Sequence, residues 1–129
     1  VIYLDSSALL KLVVREAETD ALRDWLGDHT EPVCSSELAK VEVTLATRRI
    51  APEHLPTARA AIAGLDLLPL SSATIALASE TEHQLRSLDA LHLASALLLG
   101  DELTRFVTYD HRLGSAAEAV RLATTAPGC

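Results

Sequence analysis

The chain has 129 residues, 49% apolar and 3% aromatic, with a formal net charge of −7 from 11 Lys+Arg against 18 Asp+Glu. That length is one domain's worth, with enough apolar mass for a core that needs no staples. The acidic balance excludes a protein that holds nucleic acid by general electrostatics, which would be basic, and the scarcity of aromatics excludes base stacking as its main contact.

Residues 1–4 form a short apolar run, expected to be a strand and closed by Asp5. Ser6 and Ser7 are turn and N-cap residues, and residues 8–14 carry a helical pattern. Asp5, Lys11 and Arg15 interrupt the apolar stretch, so it does not read as a signal peptide. A second helix is expected over residues 16–27, with Leu22, Trp25 and Leu26 on its apolar face. Pro32 breaks the chain before a minimal strand at 33–35, which makes Cys34 a small buried hydrophobe. The two cysteines, Cys34 and Cys129, provide neither a CxxC site nor a disulfide framework, as suits a reducing compartment.

From Ser36 the pattern is helical to about residue 49, with Leu38, Val41 and Leu45 as the expected inward stripe and Ser35 or Ser36 as cap. Pro52 opens a helix to about 64, residues 65–70 are a strand candidate, and Ser71 or Ser72 caps a helix to about 85. Residues 88–99 form a strongly apolar helix with Gly100 in C-cap position. Its run from 93 to 99 is far short of the roughly 20 residues that span a bilayer, so a cytoplasmic protein with no membrane partner is expected. A strand at 106–109, a short helix at 112–118 and a last strand at 120–124 complete the chain. Short apolar strands alternating with helices indicate an α/β fold, a parallel sheet covered on both faces. Its functional crevice then lies outside the carboxyl ends of the strands.

Four acids sit where an acid is awkward. Asp5 and Asp110 each close an apolar run, Asp89 opens an apolar helix, and Glu42 shares the Leu38-Leu45-Arg49 side of its helix. Taken singly, Asp5 or Asp110 could merely cap a helix, Asp89 could answer a helix dipole, and Glu42 could pair with Arg49. Gathered together they could not stand unassisted: two like charges 4 Å apart cost about 4 kcal/mol at an effective dielectric near 20. Such a nest recruits a cation, and an all-oxygen donor set suits Mg²⁺. The five histidines are scattered without HExxH or CxxC spacing, and His92, one turn after Asp89, reads as a core or supporting residue rather than a ligand.

Four blocks in order carry a resemblance: Val1-Ile-Tyr-Leu-Asp5-Ser-Ser-Ala-Leu, Ser36-Glu-Leu-Ala-Lys-Val-Glu42, Leu88-Asp89-Ala-Leu-His-Leu-Ala94, and Val107-Thr-Tyr-Asp110-His-Arg-Leu113. The chain resembles the PIN-domain nucleases, in particular the VapC toxins of bacterial toxin–antitoxin pairs, from residue 1 to about 125. The resemblance implies a three-layer α/β/α sandwich with a central parallel sheet, one nuclease domain over 1–129, and a Mg²⁺- or Mn²⁺-dependent endoribonuclease site. By position, Asp5, Glu42, Asp89 and Asp110 would be its acidic quartet, with the hydroxyls of Ser6 or Ser7 and of Thr108 orienting carboxylates or water. It also implies a homodimer neutralised by a VapB-type antitoxin that places a basic side chain in the acidic pocket. Glu37 is a rival for Glu42, which fits the block better. Lys11, Arg15, Lys40, Arg48, Arg49 and Arg112 form a thin set of candidates for RNA phosphates. The family often carries a glycine where this chain reads Ala119-Val120-Arg121-Leu122, a departure that bears on the last strand's geometry rather than on chemistry.

Other readings fit less well. A haloacid-dehalogenase site wants D-x-D after the first strand, where this chain has Asp5-Ser6-Ser7, and a receiver domain wants a late lysine, whereas the only lysines are Lys11 and Lys40. A degenerate scaffold acting as a protein or RNA interaction module is the non-enzymatic alternative, and the presence of all four acids argues against it.

Overall fold

The N-terminal apolar run becomes the central strand of the sheet. In the computed structural model, which describes residues 1–129, β1 (Ile2–Leu4) pairs in parallel with β2 (Val33–Ser36) on one side and β4 (Arg105–Val107) on the other. β3 (Asp66–Leu68) extends the β2 edge and β5 (Thr124–Thr125) the β4 edge, all parallel, in the order β3-β2-β1-β4-β5. Every residue of β1 is buried because both faces are covered, which is why its sequence is continuously apolar rather than alternating. Alternate residues feed two cores. Ile2, Leu4 and Val107 pack with Leu9, Leu22, Val43 and Ile62 from α1 (Ser6–Val13), α2 (Thr19–Gly27), α3 (Glu37–Ile50) and α4 (Leu55–Ala63). On the other face, Tyr3, Cys34 and Phe106 pack with Leu93, Leu113 and Ala117 from α6 (Ser87–Leu97) and α7 (His111–Ala119), while α5 (Ser72–Ser79) lies on α6. This is the three-layer α/β/α sandwich expected. The chain moves outward from β1 through β2 and β3, then returns to β4, so the strand order reverses between β1 and β4 and the crevice opens there.

Several local expectations are corrected. Asp5, not Ser6 or Ser7, is the N-cap of α1, its side chain accepting from the Ala8 N–H. Ser36 caps α3, and the Ser35 hydroxyl is instead spent on the Leu4 carbonyl. The inward stripe of α3 is Ala39, Val43 and Thr47, while Val41 and Leu45 are 56% and 55% exposed. The third strand stops at Leu68 because Pro69 cannot donate to a ladder. The fifth helix stops at Ser79, since Glu80 to Gln84 offer no apolar residue to continue a buried face. The fourth strand ends at Val107, so Asp110 follows a two-residue loop rather than the strand itself, and it caps α7.

The last strand falls at Thr124–Thr125, later than expected, because the residues before it end a helix. The Arg121 N–H bonds the Glu118 carbonyl and the Leu122 N–H bonds the Ala117 carbonyl, the paired closure of a Schellman motif. Arg121 is therefore held at φ 66°, the chain's one non-glycine residue with positive φ. Glycine is the residue that position favours, and it lies in the stretch near which the family often carries one. A side chain held there costs roughly 1–2 kcal/mol, of which glycine's greater unfolded-state freedom takes back part. Arg121→Gly should stabilise the protein by up to about 1 kcal/mol, a rise of roughly 3 °C in Tm. Calorimetry showing a fall would contradict the strain.

Candidate active site

Asp5 leaves β1 at the crevice and is only 3% exposed. Its Oδ1 accepts from the Ser7 hydroxyl at 2.6 Å and the Ala8 N–H at 2.9 Å, and its Oδ2 from the Thr108 hydroxyl at 2.5 Å. Burial pushes its carboxyl up, against those three donors and the nearby His92, which pull it down. Thr108 ties the two strand ends together, since its Oγ1 also accepts from the Asp110 N–H at 3.1 Å. Ser7 does likewise, accepting from the Tyr109 N–H at 2.9 Å. Asp110 caps α7 through Oδ1 and the Leu113 N–H at 2.8 Å. The capping roles of Asp5 and Asp110 and their place at the crevice are thus both real, and neither excludes the other.

Glu42 projects from α3 toward the same crevice, half-buried. Its Oε1 accepts from the Ser6 hydroxyl at 2.6 Å and from His92 Nε2 at 2.7 Å. Burial alone would raise it, but hydrogen bonds from His92 and then Ser6 more than offset that and leave its carboxyl lowered. Arg49, the alternative partner for Glu42, is exposed and makes no ion pair with it. The rival Glu37 is exposed and its nearest bond is a long one, 3.5 Å from the Leu70 N–H. Asp89 lies in the first turn of α6. Burial raises its carboxyl first, and the negative charges of Asp110, Asp5 and Glu42 raise it further, with only His92 pulling the other way. All four acids therefore share one electrostatic field.

No Lys or Arg forms an ion pair with any of the four acids. The basic ion pairs go elsewhere, Lys11 to Glu16 and Glu18 and Arg15 to Asp20. Lys11 is only 8% exposed, lies 4.7 Å from the Tyr109 ring centre and lines a polar cavity with Thr108 and Asp110. Lys40, Arg48 and Arg49 are exposed on α3. Arg112 lines an open cleft of about 340 Å³ together with Arg86, Asp89, Asp110 and His111. Arg86 was not singled out in the sequence, although it stands three residues before Asp89, one turn away. A second, polar cavity of about 450 Å³ runs from Thr108 and Asp110 along α7 to Thr125.

A carboxylate set with no Lys or Arg ion-paired to it suits a hard divalent cation such as Mg²⁺ or Mn²⁺. No three His, Cys, Asp or Glu side chains form a ready-made cation cage, so the fit is to an ion that keeps waters and takes substrate oxygens, as Mg²⁺ does. No helix is long and apolar enough to cross a membrane. Cys34 is buried, and burial pushes its thiol up to about 11, as befits an inert core residue.

The family model described as "PIN domain" matches residues 2–119. Ribonuclease VapC35 of Mycobacterium tuberculosis is 47% identical over 131 residues, covering 98% of this chain and 97% of the relative. Among solved structures, M. tuberculosis VapC20, titled a sarcin-ricin loop cleaving toxin, superposes with a TM-score of 0.78 at 17% identity, over 98% of this chain and 100% of that one. A toxin–antitoxin complex from Klebsiella pneumoniae gives a TM-score of 0.70 at 17% identity, over 85% and 87% of the two chains.

Proposed function

Since the chain belongs to the PIN domain family and, within it, to the VapC ribonucleases, we propose that it is a divalent-metal-dependent endoribonuclease toxin that hydrolyses RNA phosphodiesters. The observation that carries the reading is Asp89, a carboxylate raised by burial and by three other carboxylates with no basic side chain paired to it. Asp5, Glu42, Asp89 and Asp110 would hold Mg²⁺ or Mn²⁺, which when bound supplies Lewis-acid charge at the phosphate and acidifies water. The chain's own residues prepare the site. Three donors fix the Asp5 carboxylate against rotation, Ser7 and Thr108 lock the ends of β1 and β4 together, and Ser6 and His92 keep Glu42 ionised. Arg86 and Arg112 flank Asp89 and Asp110 in the cleft and are the basic groups best placed for RNA phosphates. Lys40, Arg49 and Arg15 would contribute at longer range.

A VapB-type antitoxin belongs to the same proposal. A cleft of uncompensated acids accepts one basic side chain from a partner, which would displace the metal and close the site. A homodimer is also part of it, supported by the apolar Val41 and Leu45 left in solvent on α3. Cytoplasmic residence follows from an RNA substrate.

The test is cleavage of a structured RNA by purified protein. Activity should vanish in EDTA and return when Mg²⁺ or Mn²⁺ is added in excess. Cleavage that persists at full rate in EDTA would refute the metal-dependent reading. No cleavage with any divalent ion, beside intact RNA binding, would favour the degenerate scaffold.

A further inference from the structure

Glu42 does not hold its own position. Its Oε1 is shared between two donors, Ser6 from α1 and His92 from α6, and neither bond uses Oε2. Behind His92 stands Tyr3 of β1, whose hydroxyl lies 2.7 Å from Nδ1. We propose that His92 is a positioning residue that fixes Glu42 for the reaction, and that Tyr3 fixes which ring nitrogen serves it. The proposal rests on Glu42 belonging to the active site as read above.

For a neutral His92 ring the proton inventory leaves one arrangement. Ser6 has a single hydroxyl hydrogen and gives it to Glu42 Oε1, so the 3.0 Å contact between Ser6 Oγ and His92 Nε2 has the histidine as donor. A carboxylate accepts only, so Nε2 carries a proton toward Glu42 as well. In the neutral ring Nδ1 is then the acceptor, and Tyr3 donates to it. Tyr3 is fully buried and its ring stacks on Phe106 with centres 5.4 Å apart and planes 16° apart. It meets His92 edge-on, centres 5.8 Å apart. The tyrosine is thus a rigid anchor in the core, and the chain from Phe106 to Tyr3 to His92 to Glu42 runs from core to crevice.

Two features separate this role from the alternatives. His92 is 1% exposed and both ring nitrogens are spent inside the protein, so it neither ligates a cation nor meets RNA. A merely structural histidine would need no carboxylate partner that faces the crevice. Nothing in the role requires a change of protonation; it requires a donor at the Nε2 position. Without that donor the glutamate side chain is held by Ser6 alone and regains rotamer freedom, so its carboxylate is no longer presented in one place.

The experiment compares wild type with His92→Leu, His92→Gln, Tyr3→Phe, Glu42→Gln and the double variant Glu42→Gln/His92→Leu. Its readouts are Mn²⁺ affinity by electron paramagnetic resonance, single-turnover RNA cleavage, KM and Tm. His92→Leu should lose about 10- to 100-fold in Mn²⁺ affinity and cleavage rate, the usual cost of removing a ligand's support, with KM for RNA unchanged. His92→Gln should recover most of it, because its amide N–H₂ can donate to Glu42. Tyr3→Phe should lose about three- to tenfold, the worth of one net hydrogen bond. The double variant should be no worse than Glu42→Gln alone, because a residue acting only through Glu42 has nothing left to act on. If His92→Leu does not fold, His92→Gln and Tyr3→Phe carry the comparison. Wild-type metal affinity and rate in His92→Leu beside an inactive Glu42→Gln would overturn the positioning role alone, as would additive losses in the double variant. A fully active Glu42→Gln would instead overturn the assignment of Glu42 beneath it.

Discussion

Asp5→Asn should reduce RNA cleavage by about 10³-fold while leaving the fold intact. The size follows from the several kcal/mol of charge stabilisation a bound divalent ion supplies, at 1.36 kcal/mol per factor of ten. The fold survives because asparagine caps helices as well as aspartate does, so its Oδ1 can keep the bonds from the Ala8 N–H and the Ser7 hydroxyl. Its amide nitrogen replaces an acceptor for Thr108 with a donor, and Thr108 must turn its hydroxyl to accept from it. That rearrangement costs about 1 kcal/mol, partly offset because the buried carboxylate was already disfavoured. The expected pattern is a Tm within a few degrees of wild type, unchanged circular dichroism and no measurable turnover. Equal cleavage by Asp5→Asn and wild type would remove Asp5 from the site, and with it the reason for placing catalysis at this end of β1.

Part of this site was legible in the sequence and part was not, for separable reasons. Asp5 was legible because an acid closing an apolar run sits at a strand's carboxyl end, and Asp110, a two-residue loop past its own strand, because parallel strands put those ends on one edge. Glu42 was identified for the wrong reason. The Leu38-Leu45-Arg49 side of the helix reads as inward, yet the buried stripe is Ala39, Val43 and Thr47, which a leucine-led reading of the helix passes over. Helical phase still aims Glu42 at the crevice, beside the inward face rather than within a leucine face. Tyr3 and His92 are 89 positions apart, and no local pattern links a strand tyrosine to a helix histidine. Arg86 failed to register because a cation outside the apolar pattern of its helix looks like solvated surface. The shift of β5 had a visible cause only in retrospect, because a Schellman ending with arginine at its left-handed position hides behind a residue that seldom fills it.

Asp89→Asn should lose about 10²- to 10³-fold in cleavage and, in EDTA, gain stability at neutral pH. The helix dipole favours a negative charge in the first turn of α6 by about 0.3–1 kcal/mol. Asp89 is nonetheless raised, by burial first and then by the charges of Asp110, Asp5 and Glu42, against the pull of His92. A carboxyl whose folded pKa lies above its unfolded value binds its proton more tightly when folded. Its ionisation therefore costs stability, progressively, as pH rises from about the ordinary 3.8 through the folded value. Asp5 has the same sign. Glu42 has the opposite one, contributing stability above its ordinary 4.5 that is lost as pH falls through its lowered value. As pH rises from the ordinary 3.8 through the raised folded values of Asp89 and Asp5, metal-free wild type should lose Tm. Asp89→Asn should lose less and end a few degrees higher at pH 7. Excess Mg²⁺ should close the gap by stabilising wild type, whose acids it neutralises, more than the variant. A variant that is less stable than wild type at pH 7 in EDTA would show that Asp89 is held by favourable contacts rather than strained by its neighbours, and that the crevice does not need a cation to settle its charge.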